Sequence, residues 1–245
     1  MNDSGSATPL QSPRSAQLLI SFSGMDGSGK STQIEMLCSR LAETGLSVQR
    51  LAFWDNVVAF PEHRAGFSHK FLKSEGGIGA RGKPVSRNDK NNRAWYLTLA
   101  RYGLYVFDAL NLRKVVAEAR RGNANVIVFD RYIYDQLATL PLQLPLARAY
   151  AHAVLKLVPR PDVAYLLDAE PAVARERKPE YPLDFLHEYR DSYHRLRDLA
   201  GMTMVPPASI DEAHNTIMQR LARCCNLTGS VAYPSLARSD QQCLP

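Results

Sequence analysis

Apolar positions along the chain follow two different periods. Short runs of apolar, β-branched and aromatic residues stand at 17–23, 46–53, 125–130, 163–168 and 202–205. Runs of that length, bounded by polar residues or glycine, predict buried strands. Between them apolar residues recur every three or four positions, near 30–44, 94–121, 143–158, 183–199 and 211–224, which predicts helices. Strands alternating with helices predict an α/β fold with a parallel five-stranded sheet and helices on both faces. The segment 54–93, which carries GGIGARGKP, has no sustained period. A loop that long inside a compact domain is usually functional or mobile.

Composition narrows the class. The chain has 245 residues, with 45% hydrophobic and 22% charged, ordinary values for one soluble globular domain. The net charge is +6, but the basic residues are scattered. That favours a small phosphate-bearing substrate over a nucleic acid polymer. The four cysteines, Cys38, Cys224, Cys225 and Cys243, form no CxxC pair, so they read as reduced thiols of a cytoplasmic protein. The start, MNDSGSATPLQSPRSAQ, lacks the apolar core of a signal peptide and reads as a disordered tail over 1–16. The apolar stretch LPLQLPLARAYAHAVLKLVP is interrupted by Arg148, His152 and Lys156, so it reads as a buried helix and not a membrane span.

Chemistry concentrates at 22–32, FSGMDGSGKST. An apolar strand precedes it, and a helical pattern with Ile34, Leu37 and Leu41 follows. Gly24, Gly29, Lys30 and Ser31 fit G-x-x-x-x-G-K-[ST] in the strand–loop–helix setting that this phosphate cradle requires. The glycines let backbone N–H groups converge on phosphate oxygens, and the helix N-terminus adds positive potential. Lys30 can reach the terminal phosphates of ATP, and the Ser31 hydroxyl can ligate Mg²⁺. In ANVIVFDRY, Asp130 ends a strand, where it either holds a Mg²⁺-bound water opposite Ser31 or caps the next helix. Arg131 can clamp a phosphate bidentately or make a surface pair. In PDVAYLLDAEPAVARERKPEY, Arg175, Arg177 and Lys178 either complement a helix C-terminus or form a lid that closes on the transferring phosphoryl group. On the long helix, Arg101, Tyr105, Asp108 and Leu112 share a face. They either pair with one another or line a pocket.

These motifs resemble thymidylate kinases, nucleoside-monophosphate kinases of the P-loop class. The family opening F-E-G-x-D-G-x-G-K-S-T stands here as FSGMDGSGKST. Its D-R-Y strand end is Asp130, Arg131 and Tyr132, and PDVAYLLDAEPAVARER and ASIDEAHNTI resemble later segments, the last near the adenine site. The resemblance implies a P-loop three-layer sandwich over 17–225, an irregular insertion at about 54–93, a lid at about 175–182 and a weakly ordered tail over 226–245. It implies ATP and Mg²⁺ as cofactors, phosphoryl transfer to a nucleoside monophosphate such as dTMP, and a homodimer. Nucleotides would be held by Gly24, Asp26, Gly27, Ser28, Gly29, Lys30, Ser31, Thr32 and Arg101. By the same resemblance Asp26 would face the acceptor sugar, Arg131 its phosphate and Arg101 its base. Lys30, Arg131, Arg175, Arg177 and Lys178 would carry catalysis, since Gly27 occupies the loop position where some members place the catalytic arginine. Ser31 and Asp130 would hold the metal.

The chain departs from the family at the base. The R-E-P-G-G-T segment is replaced by AFWDNVVAFPEH, and the aromatic four residues before Arg101 is Leu97, beside Trp95 and Tyr96. After D-R-Y the family has serines and a Tyr-Gln pair. Here IYDQLATL supplies Asp135, Thr139 and Leu140. Kinases for another small acceptor therefore stay open. A GTP-dependent switch requires an N-K-x-D reader, and NDKN at 88–91 has a different order.

Overall fold

The computed structural model describes residues 17–58, 95–179 and 181–227. The two tails and most of the irregular segment lie outside the described residues. Five strands form one parallel sheet: β1 (Leu18–Ser23), β2 (Val48–Ala52), β3 (Val126–Asp130), β4 (Val163–Leu167) and β5 (Thr203–Val205). Their order is β2-β3-β1-β4-β5, so β1 lies at the centre between β3 and β4. All six residues of β1 are buried, as a strand covered on both faces requires.

Alternation along the strands divides the core in two. Leu18, Ile20 and Phe22 face α1 (Lys30–Glu43), through Ile34, Leu37 and Leu41, and the last helix, through Ile217 and Leu221. Leu19, Ile127 and Phe129 point the other way. They pack on α2 (Trp95–Ala119), α3 (Ile133–Leu137), α4 (Pro145–Leu157) and α6 (Leu183–Ala200). The short α5 (Pro171–Arg177) precedes α6, and α7 (Ile210–Leu227) closes the chain. This is the three-layer α/β sandwich expected from the strand and helix periods. Among the described residues no helix is long and apolar enough to cross a membrane.

Two local differences have simple causes. The start of the irregular segment is a π-helical turn, Phe53–Val57. Phe53 and Val57 are fully buried, and the Asn56 side chain accepts the Ala52 N–H at 2.7 Å, which closes the turn. The short helix α3 falls below the length that periodicity can detect. Its Asp135 side chain accepts the Tyr132 N–H, a cap built from within.

Leu37 lies wholly between α1 and the sheet. Leu37→Ala should cost about 2–5 kcal/mol, read from urea unfolding; a loss below the low end would mean that α1 re-seats.

Candidate active site

The loop between β1 and α1 is held open by three left-handed glycines. Gly24, Gly27 and Gly29 have φ of 142°, 83° and 88°. Two of them also lack room for a side chain. A Cβ on Gly24 would stand 2.4 Å from the Leu167 carbonyl oxygen, and one on Gly27 would stand 2.5 Å from that of Ala174. The β4 backbone thus lies against one end of the loop and the α5 backbone against the other. Met25 is buried with Ala169, Ala174 and Leu186, which seats α5 beside the loop.

Lys30 is buried, and its ammonium donates to the carbonyls of Gly24 (2.8 Å) and Met25 (2.7 Å). Burial, with Arg131 adding repulsion, pulls its pKa down from 10.5 to about 8. The nearby Asp135, Asp26 and Asp130 pull the other way and only partly offset this.

A cavity of about 880 Å³ opens over the loop. Asp26 to Thr32, Asp130, Arg131, Arg177 and Lys178 all line it. Gly24 stands behind, offering its carbonyl to Lys30. At the far end are Pro206 to Ile210 and Ala213, the ASIDEAHNTI segment, tied to α1 by a Gln33 side chain that donates to the Ile210 carbonyl at 2.8 Å. The lid cations divide. Arg177 donates to the Gly27 carbonyl at 3.2 Å and Lys178 stands 4.0 Å from Asp26, whereas Arg175 is exposed and does not line the cavity. Asp130 does not cap α3; its carboxylate pairs with Arg50 of β2 at 3.1 Å. Asp168 at the end of β4 is held bidentately by Arg190 at 2.8 and 2.7 Å. Burial opposes its ionisation, but the bonds and charge of Arg190 prevail and keep the carboxyl below its usual range.

Arg101 stands elsewhere, in a second cavity of about 860 Å³ with Thr139, Gln143, Phe185, Tyr189 and Arg195. Its helix neighbours are engaged otherwise. The Tyr105 hydroxyl bonds Thr139 at 2.9 Å, and Asp108 accepts from Gln136 at 2.7 Å. The two cavities are linked by a hydrogen-bonded chain that the sequence did not reveal. Tyr189 bonds Tyr193 (3.2 Å), Tyr193 donates to Asp135 (2.7 Å), and Asp135 pairs with Arg131 (2.9 Å). Its one trace in the sequence is the aromatic row Tyr181, Phe185, Tyr189 and Tyr193, whose spacing of four stacks consecutive rings.

Comparison with known proteins points the same way. No protein-family model matches the chain. A protein named "Probable thymidylate kinase" from Methanosphaera stadtmanae is 24% identical over 83% of this chain and 99% of its own length. Another of that name from Archaeoglobus fulgidus is 25% identical over 86% of this chain and 97% of its own. The chain is similar to both of these proteins along most of its length. The crystal structure of thymidylate kinase from Ehrlichia chaffeensis shares the fold, with a TM-score of 0.54, covering 84% of this chain and 98% of that one at 16% identity. Thr139 lines the second cavity, and Asp135 lies beside it, its carbonyl accepting from the Tyr189 that lines it.

The depressed pKa of Lys30 has a thermodynamic consequence. Between about pH 8 and 10.5 the unfolded chain holds this proton and the folded chain does not. Stability from this group therefore rises with pH across that window. The unfolding free energy of the wild type relative to Lys30→Met should grow over the same range. A flat difference would mean that Lys30 titrates normally.

Proposed function

We propose that the protein transfers the γ-phosphoryl group of ATP to a nucleoside monophosphate, dTMP being the first candidate. What carries this reading is the pair of cavities of nearly equal size. One is built on the phosphate loop. The other is lined by Arg101 and joined to the first through the Arg131–Asp135–Tyr193–Tyr189 chain. The pair offers separate room for a donor and an acceptor.

In this scheme the triphosphate lies along the backbone N–H groups of 27–32, and its charge draws Lys30 from the loop carbonyls to the phosphates. The adenine end meets Pro206 to Ile210. Asp26 faces the acceptor sugar. The attacking phosphate oxygen is already ionised, so no strong general base is required, and catalysis rests on position and charge. Arg177 reaches the loop from the lid and is the lid cation best placed to meet charge developing on the γ-phosphoryl group. Lys178 supports it, and Arg175, exposed outside the cavity, contributes least.

A divalent metal fits the residues present. Ser31 and Asp130 line the same cavity, and one hydroxyl with one carboxylate suits Mg²⁺, which keeps waters and phosphate oxygens as its other ligands. When bound, Mg²⁺ neutralises charge on the phosphates. Asp130 would hold such a metal only on leaving its Arg50 partner. The exposed Leu104, Phe107 and Leu110 on α2 support a homodimer. A cytoplasmic location suits a kinase of free nucleotides.

The deciding experiment is ADP release from Mg²⁺-ATP with dTMP, dUMP, the other monophosphates and thymidine as acceptors. Strong stimulation by dTMP supports the reading. Stimulation by a different acceptor reassigns the second cavity, and none by any acceptor removes the kinase reading. Lys30→Ala should lower turnover by roughly a hundredfold or more. Near wild-type turnover would exclude the loop from transfer. Arg177→Ala should lower kcat by on the order of tenfold to a hundredfold, with little change in the KM for ATP, and Arg175→Ala far less. Equal losses in the two variants, or a loss only in KM, would remove Arg177 from this role.

A further inference from the structure

Asp135 is the most heavily satisfied carboxylate among the described residues. It has no exposed side-chain surface, and four donors converge on it. Oδ2 accepts the Ser23 hydroxyl at 2.7 Å and the Tyr132 N–H at 3.1 Å. Oδ1 accepts the Tyr193 hydroxyl at 2.7 Å and Arg131 Nη1 at 2.9 Å. The donors come from the central strand, the end of β3 and the lid-side helix α6. The Asp135 carbonyl also accepts the Tyr189 hydroxyl at 3.2 Å. Neither the phosphate-loop motif nor the acceptor contacts discussed above assign this residue a role.

Its strategic partner is Arg131, the one non-glycine residue with positive φ (66°) among the described residues. Such a backbone persists only where its surroundings over-determine it. Here the Arg131 N–H donates to the Phe22 carbonyl at 2.9 Å, and the guanidinium is gripped from both sides. Nη2 goes to Asp26 and Nη1 to Asp135. The two grips differ in kind. The Asp26 side chain is 29% exposed and lines the cavity, so an acceptor can draw it away, whereas Asp135 is wholly enclosed. Two of the five guanidinium N–H groups are thereby taken, and three remain for a phosphate.

We propose that Asp135 is a positioning residue, the fixed anchor that aims Arg131 at the acceptor phosphate, with Tyr193 and Ser23 as its struts. The inference rests on the kinase reading for its function and on geometry alone for the anchor. The motifs of the family sharpen it. Their strand residue is glutamate where Ser23 stands, and a serine where Asp135 stands. In this chain those two side chains share one hydrogen bond, with the carboxylate on the opposite side of it.

The test uses the full-length chain, with two readouts. The first is ¹⁵N NMR of the Arg131 side chain, whose Nη groups should rotate slowly while both carboxylates hold them. Asp135→Asn removes the charge at nearly constant shape. It should release that slow rotation and raise the KM for dTMP by on the order of tenfold to a hundredfold, leaving the KM for ATP unchanged. The double exchange Ser23→Glu with Asp135→Ser should recover the slow Arg131 signals and most of the dTMP affinity, which a merely structural role for Asp135 would not predict. Far-UV circular dichroism and the melting temperature confirm that each variant folds. An Asp135→Asn protein that folds, keeps slow Arg131 signals and keeps its dTMP KM overturns the proposal. If Asp135→Asn does not fold, the double exchange decides alone, and failure to recover slow Arg131 signals overturns it. Released Arg131 signals, with no turnover by the wild type on any acceptor, would leave the anchor standing and remove the kinase reading instead.

Discussion

Three backbones meet at the phosphate loop with no room between them. The Leu167 carbonyl of β4 abuts Gly24, and the Ala174 carbonyl of the lid helix abuts Gly27, each closer to a Cβ position than any side chain allows. This steric constraint sets much of the site. It fixes the course of the loop over 24–29. It brings α5 over the loop, so a cation in the lid reaches the same space as Lys30. It also leaves no room for a side chain at position 27. A single extra carbon at either glycine would part elements separated by about 145 residues of sequence, since tight packing transmits displacement instead of absorbing it.

Electrostatics complete what packing begins. The floor of the site holds Lys30 and Arg131 close together, and Asp26, Asp130 and Asp135 surround them. For Lys30, burial wins over the carboxylates and the pKa falls. For Arg131, burial acts against the charge, but the carboxylates, Asp135 foremost, prevail and the pKa rises. The site thus contains one cation whose charge burial disfavours and one whose charge its carboxylates secure. Beyond them Tyr193 is fully buried, and burial with the nearby Asp135 charge pushes its phenol far above the usual range. It remains a neutral donor at any physiological pH. A neutral, buried donor is suited to a strut, because its hydrogen bond does not titrate away.

How much of this was legible in advance follows from how each feature is encoded. The parallel sheet was readable because strands buried on both faces are short continuous apolar runs, as 126–130 is, and the long helices because burial on one face imposes a period, as over 183–200. The phosphate loop was readable because its geometry demands glycines and a lysine at fixed spacing within eight residues. The separate placements of Arg175 and Arg177 were not. Both sit on one seven-residue helix, and which of them faces the loop depends on how α5 seats against Met25. Asp130 was likewise visible as a carboxylate at a strand end, but its pairing with Arg50 depends on β2 lying beside β3.

Sequence by itself determined the elements, their alternation and the phosphate loop, since each is a local demand of backbone geometry or of one buried face. Tertiary structure alone decided the network around Asp135. Ser23, Arg131, Asp135, Tyr189 and Tyr193 come from β1, the turn after β3, α3 and α6, up to about 170 residues apart, and beyond the spacing of the two tyrosines nothing in the sequence joins them. A buried carboxylate must collect its donors from whatever the fold brings near, because leaving it unpaired is costly. That obligation acts through space, so its partners carry no spacing rule that a linear reading can find.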